Sequence, residues 1–316
     1  MHDSLDSEPT DEAYDLADVF PEPFSSLVNV DMYGMSDRGL VRTNNEDHFL
    51  IVRGGRALET VYTNITQSPE PRLFEETVYG FVVADGLGGQ AAGEVASRQA
   101  IYTLLGLALH TSDWQLRWGA KERMTVAARM HGRFRRVNAA LLREATAHAS
   151  LSGMSTTLTA AVTHGSDLIV GHVGDSRAYL LHQGKLKKLT HDHTLAQRLI
   201  DEDGLAPDDP LVLELRNVLL QALGSKESVC RPEVQEYSIA DGDQLLLCTD
   251  GLTDMVDEDL IQAVLTEAAS AKLACQSLVD LALSNGGRDN ITVIVARFSI
   301  PQTAAPAPGA DESTTT

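Results

Sequence analysis

The sequence predicts an α+β fold built on antiparallel β-sheets, and two observations support this fold class. Several short apolar segments follow one another between residues 155 and 190, separated only by tight turns such as His-Gly-Ser-Asp and Gln-Gly-Lys. Turns of this length join antiparallel hairpins, whereas parallel strands need long crossover connections. The helical patterns are grouped at residues 91–149 and 257–284. This partial segregation of helices and strands favours α+β over a doubly wound sheet.

Each element is assigned from the spacing of apolar residues, with alternation or short apolar runs for strands and a period near 3.6 for helices. We predict strands at residues 26–34, 47–52, 78–84, 155–163, 168–173, 177–182, 186–190, 244–249 and 291–298. We predict helices at residues 91–109, 125–149, 257–267 and 270–284, with an irregular helical pattern at 193–223. Two of the apolar strands end at an acidic residue, Asp85 and Asp250, which makes those strand ends candidates for a functional site.

The composition is that of a globular protein with a strongly acidic surface. Hydrophobic residues make up 43% of the 316 residues, which is ample for a core. The net charge of -20 argues against nucleic acid as a partner, because binding phosphate backbones requires clustered Lys and Arg. No run approaches the roughly 18 apolar residues of a membrane span. With no signal-peptide pattern and no disulfide-like cysteine spacing, we expect a cytoplasmic protein without a membrane partner.

We expect one domain, at residues 25–300, between two disordered tails. Residues 1–24 contain eight Asp or Glu and no Lys or Arg. Residues 301–316 are rich in Pro, Ala and Thr and show no periodic pattern. Neither composition can bury enough apolar surface to offset the entropy lost on ordering the chain.

Four short acidic motifs share one design, because in each an Asp stands at one end of an apolar strand. The motifs are Asn45-Glu46-Asp47, Asp85-Gly86-Leu87-Gly88-Gly89, Thr249-Asp250-Gly251 and Gly287-Arg288-Asp289-Asn290. Several ionised carboxylates in such positions would be costly to desolvate and would repel one another unless cations lay between them. Mg²⁺ and Mn²⁺ prefer such oxygen ligands. Each motif alone is typical of a turn, but their joint occurrence predicts a site for divalent cations.

One stretch superficially matches a nucleotide-binding motif. Residues 86–91, Gly-Leu-Gly-Gly-Gln-Ala, fit the pattern GxGxxA between a strand and a helix. A dinucleotide site also needs an acidic residue about 20 positions later, at the end of a second strand. Residues 104–109 contain only Leu, Ala and Gly. Asp85, directly before the first glycine, would in addition repel a pyrophosphate, so the sequence argues against a nucleotide site.

Taken in order along the chain, the motifs resemble those of the PPM family of metal-dependent protein phosphatases, also called the protein phosphatase 2C family, in its bacterial form. The matching segments are residues 36–47 (SDRGLVRTNNED), 83–89 (VADGLGG), 92–97 (AGEVAS), 153–157 (GMSTT), 174–179 (GDSRAY), 192–193 (DH), 249–252 (TDGL) and 287–292 (GRDNIT). The resemblance extends over about residues 28–298. It implies a four-layer α-β-β-α sandwich with two central antiparallel β-sheets flanked by helices, in agreement with the hairpin pattern.

The resemblance implies a protein serine/threonine phosphatase that hydrolyses phosphoserine and phosphothreonine by direct attack of a metal-bridging hydroxide. Two Mn²⁺ or Mg²⁺ ions would occupy the core site, with a third, weaker ion beside them. The implied metal-binding residues are Glu46, Asp47, Asp85, Gly86, Asp175, Asp250 and Asp289. Asp85 would bridge the two core ions, and Asp175 would help to hold the third ion together with Asp250. Asn290 would support the ligands from outside the metal coordination sphere.

Arg42 matches the phosphate-binding arginine of this family, and with Asp85 and Asp250 it is a candidate catalytic residue. Its planar guanidinium suits two phosphate oxygens. A lone arginine is usually a surface residue, but Arg42 lies inside the motif that contains Asp47. Leu87 stands where many eukaryotic members have a His that is proposed to protonate the leaving alkoxide. Bacterial members often have an apolar residue there, so we expect a metal-bound water to be the acid.

The resemblance also implies a flap beside the cleft, at about residues 193–232, and here this segment is strongly acidic. Its acidic residues include Asp201, Glu202, Asp203, Asp208 and Asp209. Two interpretations remain open: a solvated acidic loop, or a preference for basic residues around the phosphorylated site.

The implied partners are phosphorylated proteins, including a cognate Ser/Thr kinase, and we expect a monomer. Two alternative functions remain open. A non-catalytic scaffold or sensor of the same family would typically lack one or more metal carboxylates, yet Asp85, Asp250 and Asp289 are all present. A phosphatase acting on a small phosphorylated molecule is the second alternative.

Overall fold

The computed structural model describes residues 28–59, 61, 73–88, 91–110, 120–226 and 230–300. The two predicted tails, residues 1–24 and 301–316, lie outside these ranges, as does Gly89. All of the candidate metal-binding residues and Arg42 lie within them.

The strands of the described ranges form two five-stranded antiparallel sheets and one short two-stranded sheet. In chain order the strands are β1 (Asn29–Asp37), β2 (His48–Glu59), β3 (Leu73–Ala84), β4 (Gly86–Leu87), β5 (Ser155–Thr156), β6 (Leu158–His164), β7 (Asp167–Val173), β8 (Arg177–His182), β9 (Lys185–Lys188), β10 (Glu233–Ser238), β11 (Gln244–Cys248) and β12 (Ile291–Ser299). The first sheet has the order β1-β12-β11-β8-β9, the second has the order β10-β7-β6-β3-β2, and β4 pairs with β5.

Helices cover the outer face of each sheet. In chain order they are α1 (Ala91–Leu109), α2 (Ala120–Ala147), α3 (Leu195–Asp203), α4 (Pro210–Leu215), α5 (Asp250–Thr253), α6 (Glu258–Glu267) and α7 (Ala271–Ser284), with a 3₁₀ turn at Ala149–Leu151. α1 and α2 pack on the second sheet, and α6 and α7 pack on the first. The predicted four-layer α-β-β-α sandwich is therefore confirmed.

Three hydrophobic layers hold the sandwich together. The middle layer lies between the sheets and contains Phe81, Val83, Leu245, Leu247 and Ile294, all fully buried. Because successive side chains of a strand point to opposite faces, the residues between them enter the outer layers. The outer layer of the second sheet contains Val82, Ala84, Met130, Phe134 and Leu141. The outer layer of the first sheet contains Leu246, Cys248, Ile261, Leu265 and Leu278.

The predicted elements differ from the observed ones in two places that matter for the site. The predicted strand at residues 155–163 is divided into β5 and β6, because Thr157 between them bonds its backbone N–H to the carbonyl oxygen of Asp85. The strand β10 was not predicted. It pairs only with β7, at the edge of the second sheet, and several of its charged and polar side chains are exposed. Edge strands often carry such residues, so its apolar alternation is weak.

The helices of the described ranges include none that is both long and apolar enough to cross a membrane.

Burial in the middle layer predicts that two leucine-to-alanine substitutions differ greatly in their effect on the free energy of unfolding. Leu245 is fully buried between the sheets, whereas Leu273 on α7 is 51% exposed. Leu245→Ala is expected to lower the free energy of unfolding by about 2–5 kcal/mol, through lost burial and the remaining cavity. Leu273→Ala is expected to change it by less than about 0.5 kcal/mol. Urea unfolding followed by circular dichroism measures both, and equal effects would contradict the assignment of the middle layer.

Candidate metal centre

The strand register brings the acidic motifs to one end of the sandwich. In the second sheet His48, the first residue of β2, pairs with Ala84, the last residue of β3. Asp47, just before β2, and Asp85, just after β3, therefore lie opposite each other at the same end of the sheet. In the first sheet the last residue of β11 pairs with the third residue of β12. Asp250 and Asp289 therefore lie at adjoining strand ends as well. The sequence alone placed each Asp at a strand end. The register brings them together in two pairs, one in each sheet, and the hydrogen bond from Thr249 to Asp47 joins the pairs.

Asp85 lies at the centre of this group. Its pKa is raised well above the usual value, first by burial and then by the negative charges of Asp47, Asp250, Asp175 and Asp289. Burial in turn raises the pKa of Asp250, and the Asp85 side chain opposes this shift. Every one of these carboxyl groups is thus close enough to disfavour ionisation of Asp85.

Burial also raises the pKa of the neighbouring carboxyl groups. The pKa of Asp47 rises to about 7, mainly through burial, although the Thr249 hydroxyl donates a hydrogen bond of 2.8 Å to Asp47 Oδ2. The pKa of Asp250 rises to about 6, through burial and then through the charge of Asp289. The pKa of Asp175 is raised as well, through burial and then through Asp250. A group of acids in this state is stabilised by any cation that can enter it.

Two oxygens of this group suit a hard cation. Asp47 Oδ1 and Asp250 Oδ1 are buried and have no hydrogen-bond partner. A buried carboxylate oxygen without a partner is costly, and a divalent cation would satisfy both. As placed in the described residues, no three acidic, His or Cys side chains enclose a single point in the manner of a finished ligand shell. The donors fit Mg²⁺ or Mn²⁺ by their chemistry, as carboxylate oxygens gathered in one buried neighbourhood.

The backbone of Asp85 is fixed by two threonines. The N–H of Asp85 donates to Thr157 Oγ1 at 2.9 Å. Its carbonyl oxygen accepts from Thr156 Oγ1 at 2.7 Å and from the N–H of Thr157 at 2.9 Å. Thr157 in turn lies 2.7 Å from the hydroxyl of Ser176, beside Asp175. The segment at residues 153–157 therefore positions Asp85, a role for which the sequence offered no reason beyond the resemblance.

Close backbone contact at Gly86 brings Glu46 into the site. A β-carbon at Gly86 would overlap the carbonyl oxygen of Gly93 on α1, and one at Gly93 would overlap the carboxylate of Glu46. Any larger residue at either position would push the chains apart. The Ser97 hydroxyl fixes the same region by donating to the carbonyl oxygen of Glu46 at 2.5 Å. Burial raises the pKa of Glu46, and the charge of Arg42 opposes the shift.

Asn290 ties together the loop that carries Arg42 and Glu46. Its side-chain nitrogen donates to the carbonyl oxygens of Arg38 at 2.8 Å and Asn44 at 2.9 Å. Its side-chain oxygen accepts the N–H of Glu46 at 2.8 Å. The amide is buried and uses both of its polar atoms, so it supports the site without facing it. This geometry fits the supporting role that the resemblance implied.

Arg42 contacts the metal-ligand candidate Asp289. Its Nη2 lies 2.6 Å from Asp289 Oδ2, and the two side chains are 58% and 30% exposed. The hydrogen bond to Asp289 is the main cause of a raised pKa of Arg42. An ion pair this exposed contributes little to stability. Arg42 is therefore held at the rim of the acidic group by an exposed ion pair.

Asp175 approaches the group from the turn between β7 and β8. It is 8% exposed, and the charge of Asp250 is the largest electrostatic influence on it after burial. Gly174 before it has φ of 114°, a conformation that favours glycine, and a β-carbon there would overlap the side chain of Thr157. The turn is therefore both strained for other residues and packed against the threonine that holds Asp85.

The predicted flap contains α3 and α4, and the residues that follow α4 contact the segment after Asp250. Arg216, which follows α4, lies 3.2 Å from Asp254, and Asn217 donates to the same carboxylate at 3.4 Å. Asp254 follows α5, four residues after Asp250, and its charge raises the pKa of Asp250. The acidic residues at 201–203 and Asp208 are exposed.

Sequence reasoning missed three supporting side chains. Thr249 links Asp47 to β12, because its hydroxyl also accepts the N–H of Thr292 at 3.0 Å. Asp254 joins the flap to α5, and Ser97 joins α1 to the Glu46 loop. Their only signal in the sequence is position: Thr249 and Ser97 lie inside the motifs, and Asp254 lies one helical turn after Asp250.

Comparisons with known proteins show the family to which this sequence is similar. A family model described as protein phosphatase 2C matches residues 74–282. The serine/threonine protein phosphatase PstP of Mycobacterium tuberculosis is 36% identical over 261 residues, which are 83% of this chain and 43% of that protein. This chain therefore spans less than half the length of that relative. The serine/threonine phosphatase Stp of Listeria monocytogenes is 32% identical over 269 residues, 84% of this chain and 95% of that protein.

Solved structures show the same fold. The crystal structure of the catalytic domain of the phosphatase PstP in complex with two manganese ions superposes with a TM-score of 0.67 at 32% identity. The superposition covers 86% of this chain and 100% of that domain. With the family model matching well over half of the sequence, the chain belongs to the protein phosphatase 2C family.

Proposed function

We propose that this chain is a metal-dependent phosphoprotein phosphatase that hydrolyses phosphoserine and phosphothreonine. One observation carries the proposal: buried carboxyl groups with unsatisfied oxygens meet at one end of the sandwich, directly beside an exposed arginine. Cations and guanidinium together offer the positive charge that a phosphate monoester requires. Relatives of the family are named serine/threonine phosphatases, and one of them binds two manganese ions.

We assign Asp85, Asp250 and Asp289, with the carbonyl oxygen of Gly86, to the two ions of the core site. Asp47 and Glu46 would orient water on these ions, and Asp175 would share a weaker third ion with Asp250. Two such ions, once bound, lower the pKa of water between them and neutralise phosphate oxygens. The supporting observations are the central place of Asp85 among the carboxyl groups and the unsatisfied oxygens of Asp47 and Asp250.

Arg42 is assigned to the substrate phosphate. Its present partner, Asp289 Oδ2, is an anionic oxygen on the rim of the acidic group. A phosphate oxygen could replace that partner with little cost, because the ion pair is exposed. Leu87 cannot supply a proton, so the leaving alkoxide would take its proton from water. Holding the phosphate between Arg42 and the carboxylate-bound ions favours in-line attack.

The substrates would be phosphorylated proteins, with a cognate Ser/Thr kinase among them, and the enzyme would act as a monomer in the cytoplasm. The domain would span residues 25–300. The exposed acidic residues of the flap support a preference for basic residues around the phosphorylated site. All of the carboxylates needed for two ions are present and gathered, which favours an enzyme over a scaffold.

Metal dependence tests the proposal directly. Phosphate release from a phosphothreonine peptide should require Mn²⁺ or Mg²⁺, because the buried carboxylates need cations to remain ionised together. Chelator should abolish the activity, and added Mn²⁺ should restore it. Full activity after exhaustive removal of divalent ions would contradict the proposed chemistry.

Asp250→Asn should separate activity from stability. It removes a metal ligand, so kcat at saturating Mn²⁺ should fall by roughly two or more orders of magnitude. In chelator, however, the variant should melt at a higher temperature than the parent, since one of several mutually repelling carboxylates is gone. Asp280→Asn, at an exposed site on α7, is the matched control and should change neither quantity. An active Asp250→Asn enzyme would show that the ligand is misassigned.

Arg42→Ala should weaken phosphate binding and leave Mn²⁺ binding intact, because guanidinium is not a metal ligand. A hydrogen bond to a charged group contributes about 1.5–3 kcal/mol, which corresponds to roughly a 10- to 150-fold loss in kcat/KM. Arg42→Lys should recover only part of this, because ammonium lacks the planar fork. Steady-state kinetics and Mn²⁺ calorimetry measure the two effects. Arg53→Ala, at an exposed position on β2, serves as control, and unchanged kinetics in Arg42→Ala would make Arg42 an ordinary surface residue.

A further inference from the structure

His193, the first residue of the flap, bonds to both polar backbone groups of Gly174. The backbone N–H of His193 donates to the carbonyl oxygen of Gly174 at 2.7 Å. Its ring Nδ1 accepts the N–H of Gly174 at 3.2 Å. Because a backbone N–H can only donate, Nδ1 must be the unprotonated nitrogen of this ring. The residue that precedes Asp175 is therefore held on both sides by one histidine.

A second histidine completes the support beneath this turn. His172 is 1% exposed, and its Nε2 lies 2.9 Å from the carbonyl oxygen of Gly174. Its Nδ1 lies 2.8 Å from the hydroxyl of Thr159 on β6. The rings of His172 and His193 are 4.9 Å apart between centroids. His172 thus anchors the turn to the sheet, whereas His193 anchors it to the flap.

His193 also belongs to the paired stem of the flap. Its carbonyl oxygen accepts the N–H of Leu220 at 2.8 Å, and the N–H of Leu195 donates to the carbonyl oxygen of Val218 at 2.8 Å. The two chains that enter and leave α3 and α4 therefore pair with each other next to the turn. Within the part of the chain that the structure describes, the hydrogen bonds between this stem and Gly174 are made by the backbone N–H and the ring of His193.

We propose that His193 is a positioning residue that joins the flap stem to the Gly174–Asp175 turn, so that the flap and the Asp175 carboxylate move as one unit. A substrate that contacts the flap would then also set the position of Asp175, and with it the weaker cation site beside Asp250. This inference rests on the proposed function. The inference extends the proposed function by connecting the flap, which would face the substrate, to the proposed metal ligand Asp175.

The chemistry of the side chain provides a sharp test. The amide oxygen of Asn can stand where Nδ1 of a histidine stands, whereas the amide of Gln reaches the more distant Nε2 position. His193→Asn therefore keeps an acceptor for the Gly174 N–H, and His193→Gln misplaces it. Both substitutions are polar and similar in size, so a general effect on packing would affect them alike. His191→Asn is the matched control, because His191 is exposed and its Nε2 pairs with Asp201 on α3 rather than with Gly174.

The experiment compares the three variants with the parent by Mn²⁺ titration calorimetry, phosphopeptide kinetics and amide hydrogen exchange of the segment that contains Gly174. Losing one buried hydrogen-bond partner changes the equilibrium constant between the ordered and disordered turn by about a factor of 10. We expect His193→Gln to raise the Mn²⁺ concentration for half-maximal activity about tenfold and to speed exchange at Gly174, as one lost hydrogen bond would. We expect His193→Asn and His191→Asn to resemble the parent in both measurements.

Two outcomes would overturn the inference: equal impairment of His193→Asn and His193→Gln, or parent-like behaviour of both. The failure of the proposed function looks different, since the parent itself would then release no phosphate. In that event the exchange rates at Gly174 still decide whether His193 holds the turn. If His193→Gln does not fold, a folded His193→Asn with parent-like Mn²⁺ response and exchange supports the inference, and an impaired one overturns it.

Discussion

The crowding of buried acidic groups at one end of the sandwich is the constraint on which the rest of the structure depends. Asp47, Asp85, Asp175 and Asp250 each lose solvation and each lie in the field of the others. Such an arrangement opposes folding, and natural proteins keep it where chemistry requires it. The surrounding hydrogen bonds hold the backbone of Asp85 and one carboxylate oxygen of Asp47 in place. These bonds come from hydroxyl and backbone amide groups, whereas the opposite charge of Arg42 pairs with Asp289 at the rim of the group.

The two-sheet architecture makes this arrangement possible. β11 and the end of β3, residues 79–84, are buried on both faces, one by the opposite sheet and the other by helices. A strand held in this way has little freedom, and the residue at its end is placed with equal precision. Glycines then allow the chains at the strand ends to approach each other, as where a β-carbon at Gly251 would overlap the carbonyl oxygen of Asn290. Rigid strands and close backbone contacts together position the carboxylates.

Much of this could be predicted because the signals were local. The strand Arg177–His182 was predicted at its observed bounds, since its apolar run lies between two turns. The acidic motifs were visible because each adjoins such a run. What could not be predicted depends on contacts between distant segments: the bond of Thr157 to Asp85, the amide of Asn290 joining two loops, and the edge strand β10, whose exposed polar residues hide its period. No pattern in one segment records its partner in another.

The closed stem of the flap has a consequence for how the family can diversify. Val218 and Leu220 pair with the chain around His193, and Leu223 forms a separate antiparallel bridge to Thr156. The segment between residues 195 and 218 begins and ends at this pairing, so its two ends lie close together. Its length and composition can therefore change without disturbing the strand register or the hydrophobic layers. A graft of residues 196–215 from a relative would therefore exchange the exposed surface of α3 and α4 while keeping His193, Arg216 and Asn217, which join the flap to the rest of the domain. The hydrogen-bonded stem therefore allows this segment to be replaced as a unit, by recombination or by design.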